Sequence, residues 1–180
     1  MIAYAITDPK YLDFTTPFKY IDSLNIADLV LYRDKKTHNY SQNARKFLEL
    51  SCDKSYKTVL HQDYILAAEL NVYGVHLTST QFHAIRRAKE LGLYTIISTH
   101  SFDEIQTAQG EGADAVTFSP IFKTPNKGTP KGTERLKEAV ADFDIDIIAL
   151  GGIVSNEHKE AIERSGAYGF ASIRYFVNDI

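Results

Sequence analysis

Gln109-Gly-Glu-Gly-Ala-Asp-Ala-Val116 reads as the end of a helix, a glycine turn and the start of a buried strand. The same order recurs in Glu69-Leu-Asn-Val-Tyr-Gly-Val75 and in Glu163-Arg-Ser-Gly-Ala-Tyr-Gly-Phe170. A repeated helix–turn–strand unit means that strand and helix alternate, the pattern of a parallel sheet with helical crossovers. Short apolar strand candidates fit that alternation at Ala3–Ile6, Leu29–Tyr32, Thr58–Leu60, Tyr73–Leu77, Tyr94–Ile97, Ala115–Phe118, Ile145–Leu150 and Tyr168–Ile173. Most lack apolar–polar alternation, as parallel strands do when both of their faces are covered.

Helix punctuation lies between the strands. Ser101-Phe-Asp-Glu104 is a capping box whose helix ends near Gly110–Gly112. Thr80 is a candidate cap for a helix carrying Phe82, Ile85 and Ala88 on one face, and Ser155 or Asn156 opens another that stops at Gly166. Eight βα units within 180 residues predict an α/β fold, a compact (β/α)8 TIM barrel spanning 1–180 as a single domain. Barrels of that type usually run longer, so the helices must be short. Only Val177–Ile180 follow the last strand candidate, which makes the last helix truncated or absent. A doubly wound open sheet is the alternative architecture.

The bulk properties set limits on function. An apolar share of 44 %, a charged share of 24 % and a net charge of −3 give no footprint for a nucleic acid or a membrane surface. The single cysteine, Cys52, excludes an internal disulfide framework and a cysteine-based zinc site. No apolar run is long enough to cross a bilayer, and Met1-Ile-Ala-Tyr-Ala-Ile-Thr-Asp8 reads as a strand without a basic leader. A cytoplasmic protein is the expectation. Oligomeric state stays open, with a homo-oligomer as one candidate arrangement.

One loop is unlike the rest of the chain. Thr117-Phe-Ser-Pro-Ile-Phe-Lys-Thr-Pro-Asn-Lys-Gly-Thr-Pro-Lys-Gly132 leaves a strand and gathers Lys123, Lys127, Lys131, Thr124 and Thr129 around two glycines. Ammonium groups, hydroxyls and unhindered backbone amides in one place suit an anion. Further on, Ile147-Ile-Ala-Leu-Gly-Gly-Ile153 runs a buried strand into Gly151 and Gly152 ahead of a helix, a common phosphate cradle. The two segments together predict a phosphorylated ligand.

A barrel builds its chemistry where the strands end. Those positions hold Thr7 and Asp8, Arg33 and Lys35, His61, His76, Ser98 to His100, Ser119, Gly151 and Gly152, then Ser172 and Arg174. The histidines on neighbouring strand ends suggest an acid/base or ligand-binding cluster. They suit zinc by residue type, yet no strong carboxylate or cysteine ligand accompanies them. Arg33 and Lys35, opposite the lysine-rich loop, suit an anion.

Taken together, Tyr4-Ala-Ile-Thr-Asp8, Tyr32-Arg-Asp-Lys35, Gly74-Val-His-Leu77, Ser98-Thr-His-Ser101, Gly112-Ala-Asp114, Ser119-Pro-Ile-Phe-Lys-Thr-Pro-Asn-Lys127 and Gly151-Gly-Ile153 resemble thiamine phosphate synthase and its TenI-like relatives in order and spacing. The resemblance implies a (β/α)8 barrel. It implies either Mg²⁺-assisted joining of a hydroxymethylpyrimidine diphosphate to a thiazole phosphate with release of pyrophosphate, or tautomerisation of a thiazole carboxylate phosphate. By position, Arg33 and Lys35 resemble the pair that holds the diphosphate, and Ser98 the residue near the reacting centre. Thr124 and Lys127 resemble the loop that grips phosphate and pyrophosphate, and Gly152 with the segment around Ser172 the thiazole-phosphate cradle. A phosphate-binding sensor on the same fold is the non-catalytic alternative.

The chain departs from that family at its metal positions. Where the synthase has Asn-Asp-Arg after the third strand, this chain has His61-Gln62-Asp63, and where it has Gly-Gln-x-Asp after the fourth, this chain has Thr78-Ser79-Thr80-Gln81. Asp63, one position displaced, is the remaining candidate metal carboxylate, so Mg²⁺ is a candidate cofactor without its usual ligands. Leu31 stands in place of the Gln that opens the Gln-x-Arg-x-Lys motif. Pro120 stands where TenI-like enzymes carry their catalytic His, which leaves His61 or His100 as the candidate base and Ser98 beside them as a candidate catalytic residue.

Overall fold

Alternate residues of every strand face opposite ways, and here both directions are apolar. The structure, a computed structural model, describes residues 1–177. It contains the strands β1 (Ile2–Ile6), β2 (Leu29–Tyr32), β3 (Lys57–His61), β4 (Gly74–Leu77), β5 (Tyr94–Thr99), β6 (Ala115–Phe118), β7 (Asp146–Leu150) and β8 (Gly169–Ser172). Each pairs in parallel with the next, and β8 pairs back onto β1 through Ile2↔Gly169, Ala3↔Phe170, Tyr4↔Ala171 and Ala5↔Ser172. That last ladder closes the sheet and rules out the open, doubly wound alternative.

Two packed layers follow from the pleat. Tyr4, Ile6, Leu29, Leu31, Val59, Ile96, Ala115, Ile148 and Ala171 fill the barrel interior. Their strand neighbours, among them Ala5, Val30, Leu60, Val75, Ile97, Val116, Ala149 and Phe170, pack outward against the helices. This double burial explains the missing alternation in the sequence. The helices are α1 (Phe18–Ser23), α2 (Tyr40–Leu50), α3 (Tyr64–Glu69), α4 (Ile85–Glu90), α5 (Phe102–Glu111), α6 (Gly132–Asp142) and α7 (Asn156–Arg164). None exceeds 11 residues, in line with the short helices expected for a barrel of this length.

Their ends hold two confirmations and one correction. Ser101 Oγ accepts from the Glu104 amide and Ser155 Oγ from the His158 amide, so both sequence caps form. Thr80 does not cap a helix. Its hydroxyl pairs with Thr78 Oγ1, while Gln81 precedes a 3-10 turn, Phe82–Ala84, without a side-chain cap. Beyond β8 the described residues form a single 3-10 turn, Arg174–Phe176. The rest of the sequence expectation for the C-terminal segment falls on 178–180, outside the described residues.

Gly74 shows how tightly the ladder is packed. A Cβ there would sit 2.2 Å from the Tyr94 carbonyl oxygen, so β4 or β5 must shift to admit one. Gly74→Ala is therefore expected to destabilise the fold by about 1–3 kcal/mol, the usual cost of overpacking, measured as a lower urea midpoint at unchanged m-value.

Candidate functional site

The strand ends and the loops after them enclose a cleft of about 670 Å³ at the C-terminal face of the barrel. Arg33, Lys35, His61, His76, Ser98, His100, Thr124, Lys127, Gly151, Gly152, Ser172 and Arg174 all line it. The structure thus brings together most of the residues that the sequence nominates, while Thr7, Thr99, Lys123, Thr129, Lys131 and Asp63 lie outside the lining. The Asp63 carboxylate accepts from the Leu66 amide through Oδ1 as the N-cap of α3 and is not part of the cleft lining. Lys10, Tyr11 and Asp8 join the lining from the loop after β1.

Charge is distributed unevenly in this cleft. Lys10, Arg33, Lys35, Lys127 and Arg174 line it, against one carboxylate, Asp8. Among the described residues no ion pair uses Arg33, Lys35 or Lys127. Partial burial and then the charges of Arg33 and Lys127 hold the Lys35 ammonium below the usual lysine range. Lys35 therefore senses both of the other cations in the cleft. Burial also lowers Arg33, and the nearby Asp8 opposes that shift.

The histidines differ in setting. His61 ends β3 and is 8 % exposed; its amide donates to Tyr40 Oη, which donates onward to the Tyr32 carbonyl. Burial, then the charges of Arg33 and Lys35, push its imidazole down to about 3. His76 on β4 lies deeper, also pushed down to about 3 by burial and by His61, Arg33 and Lys35. Its Nδ1 is 3.0 Å from Tyr4 Oη and its Nε2 3.0 Å from Ser98 Oγ. His100 is more open, with Nδ1 3.2 Å from both the carbonyl and the hydroxyl of Ser119.

The opposite wall is made by the loop after β6 resting on the glycine pair. Ile121 N donates to the Leu150 carbonyl at 2.9 Å and Phe122 N to the Gly151 carbonyl at 3.0 Å. Gly151 and Gly152 have φ of 101° and 72°, and a Cβ on Gly152 would meet the Lys123 carbonyl at 2.7 Å. Close approach of the loop, as well as the left-handed backbone, requires glycine at this turn. Thr124 is drawn in against the Phe122 carbonyl, 3.0 Å away. Ser172 Oγ donates to the Ile153 carbonyl at 2.7 Å, and the amides of Gly152 and Ile153 have no protein acceptor among the described residues.

Between β3 and β4 the loops meet through an amide. Gln81 Nε2 donates to the Gln62 carbonyl at 3.2 Å, and its Oε1 accepts from the amide and hydroxyl of Thr78 at 3.1 Å each. Among the described residues no three His, Cys, Asp or Glu side chains are grouped to hold a metal ion.

Known proteins share this fold and sequence pattern. The family model for thiamine monophosphate synthase matches residues 3–176. The chain belongs to the thiamine monophosphate synthase family. A putative thiamine-phosphate synthase 2 from Aquifex aeolicus is 32 % identical over 183 residues, covering 97 % of this chain and 96 % of its own. A thiamine-phosphate synthase from Lactococcus lactis subsp. cremoris is 28 % identical over 152 residues, covering 79 % of this chain and 69 % of its own. Among solved structures, a thiamine phosphate pyrophosphorylase from Pyrococcus furiosus superposes with a TM-score of 0.80 at 22 % identity, covering 96 % of this chain and 85 % of that one. FabK from Thermotoga maritima reaches 0.79 at 18 % identity, over 98 % of this chain and 59 % of that one. Structural likeness at these identities speaks for the fold, and the sequence matches place the chain in its family. Among the described residues no helix is long and apolar enough to cross a membrane.

The neutral histidines have a consequence for stability. An unfolded chain protonates His61 and His76 below their ordinary pKa of 6.5, whereas the folded chain resists until about 3. Stability contributed by their neutrality is complete above 6.5 and is lost as pH falls toward 3, by up to about 1.4 kcal/mol per pH unit for each histidine. Urea unfolding at about pH 7.5 and about pH 5 measures the slope. His61→Gln is expected to flatten it, and an unchanged slope would show that His61 is not held neutral.

Proposed function

We propose that this chain joins a pyrimidine diphosphate to a thiazole phosphate and releases diphosphate, with its own cations rather than a divalent metal meeting the departing charge. The observation that carries this reading is the group formed by Arg33, Lys35 and Lys127, which share the cleft with one carboxylate, Arg33 and Lys127 adding to the burial that depresses Lys35. A monophosphate carries about −1.5 to −2 near neutral pH. Three like charges in one cleft suit a more highly charged anion, while the Gly152 and Ile153 amides beside Ser172 suit the second, lone phosphate.

The chemistry is a substitution at carbon. The lone pair of the thiazole nitrogen forms a bond to the exocyclic methylene carbon of the pyrimidine, and the carbon–oxygen bond to diphosphate breaks with its electron pair going to oxygen. No proton is consumed. What the site must supply is alignment of the two rings and positive charge where the oxygen becomes anionic. Family resemblance implies Mg²⁺ there. A hard cation takes carboxylate and water oxygens beside its phosphates. Here the corresponding positions are Gln62 and Gln81, the latter already engaged with Gln62 and Thr78, and Asp8 is the single lining carboxylate. That donor set does not fit the ion.

A TenI-like tautomerase reading has less support. Proline at position 120 carries no titratable group, His61 is far too acidic when protonated to serve as an efficient base near neutrality, and the other candidate base, His100, already has its Nδ1 against the Ser119 carbonyl and hydroxyl. A sensor that binds without turnover differs from the transferase in outcome rather than in site.

Mixing the two phosphorylated heterocycles with the protein in EDTA and following pyrophosphate release tests the proposal. Release without added metal is expected, and Lys127→Ala is expected to weaken phosphate-ligand binding by about 1.5–3 kcal/mol, the scale of a charge-assisted hydrogen bond. A strict Mg²⁺ requirement, or binding of thiazole phosphate with no release under any condition, would overturn it.

A further inference from the structure

We infer that Tyr4 and His76 act as positioning residues that fix the direction of the Ser98 hydroxyl, with His76 held as its Nε2–H tautomer so that the Ser98 proton points at the ligand. The inference deepens the transferase reading given above and rests on it for the identity of that ligand.

The three residues form a line across the barrel interior. Tyr4 is on β1, His76 on β4 and Ser98 on β5, so the Tyr4–His76 link joins strands that are not neighbours in the sheet. Tyr4 is fully buried and His76 is 3 % exposed, while Ser98 lines the cleft. The Tyr4 ring stacks on the imidazole with centroids 5.8 Å apart and planes 24° apart, which sets the plane of the imidazole.

Hydrogen accounting then selects the tautomer. Among the described residues Tyr4 Oη has a single partner, His76 Nδ1. A buried phenol must donate its hydrogen or lose a bond, and Nδ1 is the acceptor within reach. Nδ1 is therefore unprotonated. A neutral imidazole then carries its proton on Nε2 and donates it to Ser98 Oγ, the sole partner of that oxygen among the described residues. Burial among Arg33, Lys35 and His61 keeps the ring neutral, so Ser98 meets a donor and not a base. With its oxygen already accepting, Ser98 has its own hydrogen left for an acceptor in the cleft. In the proposed substitution that acceptor is the oxygen that gains charge as the carbon–oxygen bond breaks. Ser98 donates a hydrogen bond to it and keeps its proton. Within this relay His76, itself part of the cleft lining, acts on the ligand through Ser98.

Two readouts test the relay. Long-range proton–nitrogen NMR of the ligand-free protein is expected to show His76 as the Nε2–H form in the native chain and as a mixture in Tyr4→Phe, which keeps the stacked ring and removes one oxygen. In pyrophosphate-release kinetics, Tyr4→Phe is expected to lower kcat about tenfold with KM little changed, and to have no further effect in a Ser98→Ala background. His76→Gln, whose amide nitrogen reaches toward the Nε2 position, is expected to recover more kcat than His76→Ala. A native Nδ1–H tautomer, an unaltered tautomer in Tyr4→Phe, or full additivity of Tyr4→Phe with Ser98→Ala overturns the relay. The NMR measurement needs no substrate. A native protein with the expected tautomer and no pyrophosphate release would therefore refute the transferase reading while leaving the relay in place.

Discussion

The ladder between β1 and β8 is the contact on which the rest of the structure depends. Once it closes the sheet, every strand is covered on both faces and the middle of the chain's apolar segments has no room for charge. Polar side chains are driven to the strand ends, and parallel strands put all of those ends on one rim. Convergence of Arg33, Lys35, His61, His76, Ser98 and Ser172 is thus a consequence of topology before it is a matter of chemistry.

That rim carries a built-in tension. Cations gathered in a half-enclosed cleft repel one another and lose hydration, as the depressed Lys35 and Arg33 register. Two histidines kept neutral beside them avoid adding to the repulsion. A polyanionic ligand relieves all of this at once, so the free energy withheld from the empty fold reappears as ligand affinity. The Gln81–Gln62 amide bridge joins the two loops without adding negative charge, which leaves the cationic field intact.

Much of this was legible in the sequence because it follows periodicity. The strand candidates Leu29–Tyr32 and Ala115–Phe118 coincide with β2 and β6, and the strand-end residues nominated for the site line the cleft apart from Thr7 and Thr99. What escaped reading depends on contacts between distant segments. Tyr4 reads as ordinary core, and only its inward position opposite His76 shows that its hydroxyl is engaged. Its pleat position, shared with the inward Ile6, was the available signal. Asp63 has the residue type of a displaced metal carboxylate, and only the structure shows that one of its oxygens caps α3. The Thr80 hydroxyl pairs with Thr78 in place of the expected capping role, and the bond of Gln81 to the Gln62 backbone carbonyl has no signature in side-chain pattern.

The most direct test of the central claim, that side-chain cations alone recognise a diphosphate, is calorimetric titration of pyrophosphate and of inorganic phosphate into the protein in EDTA at low salt. Pyrophosphate is expected to bind at least about tenfold more tightly than phosphate, roughly the worth of one additional charge-assisted contact, and added Mg²⁺ is expected to change little. Equal affinities, or pyrophosphate binding that emerges only with Mg²⁺, would contradict the account.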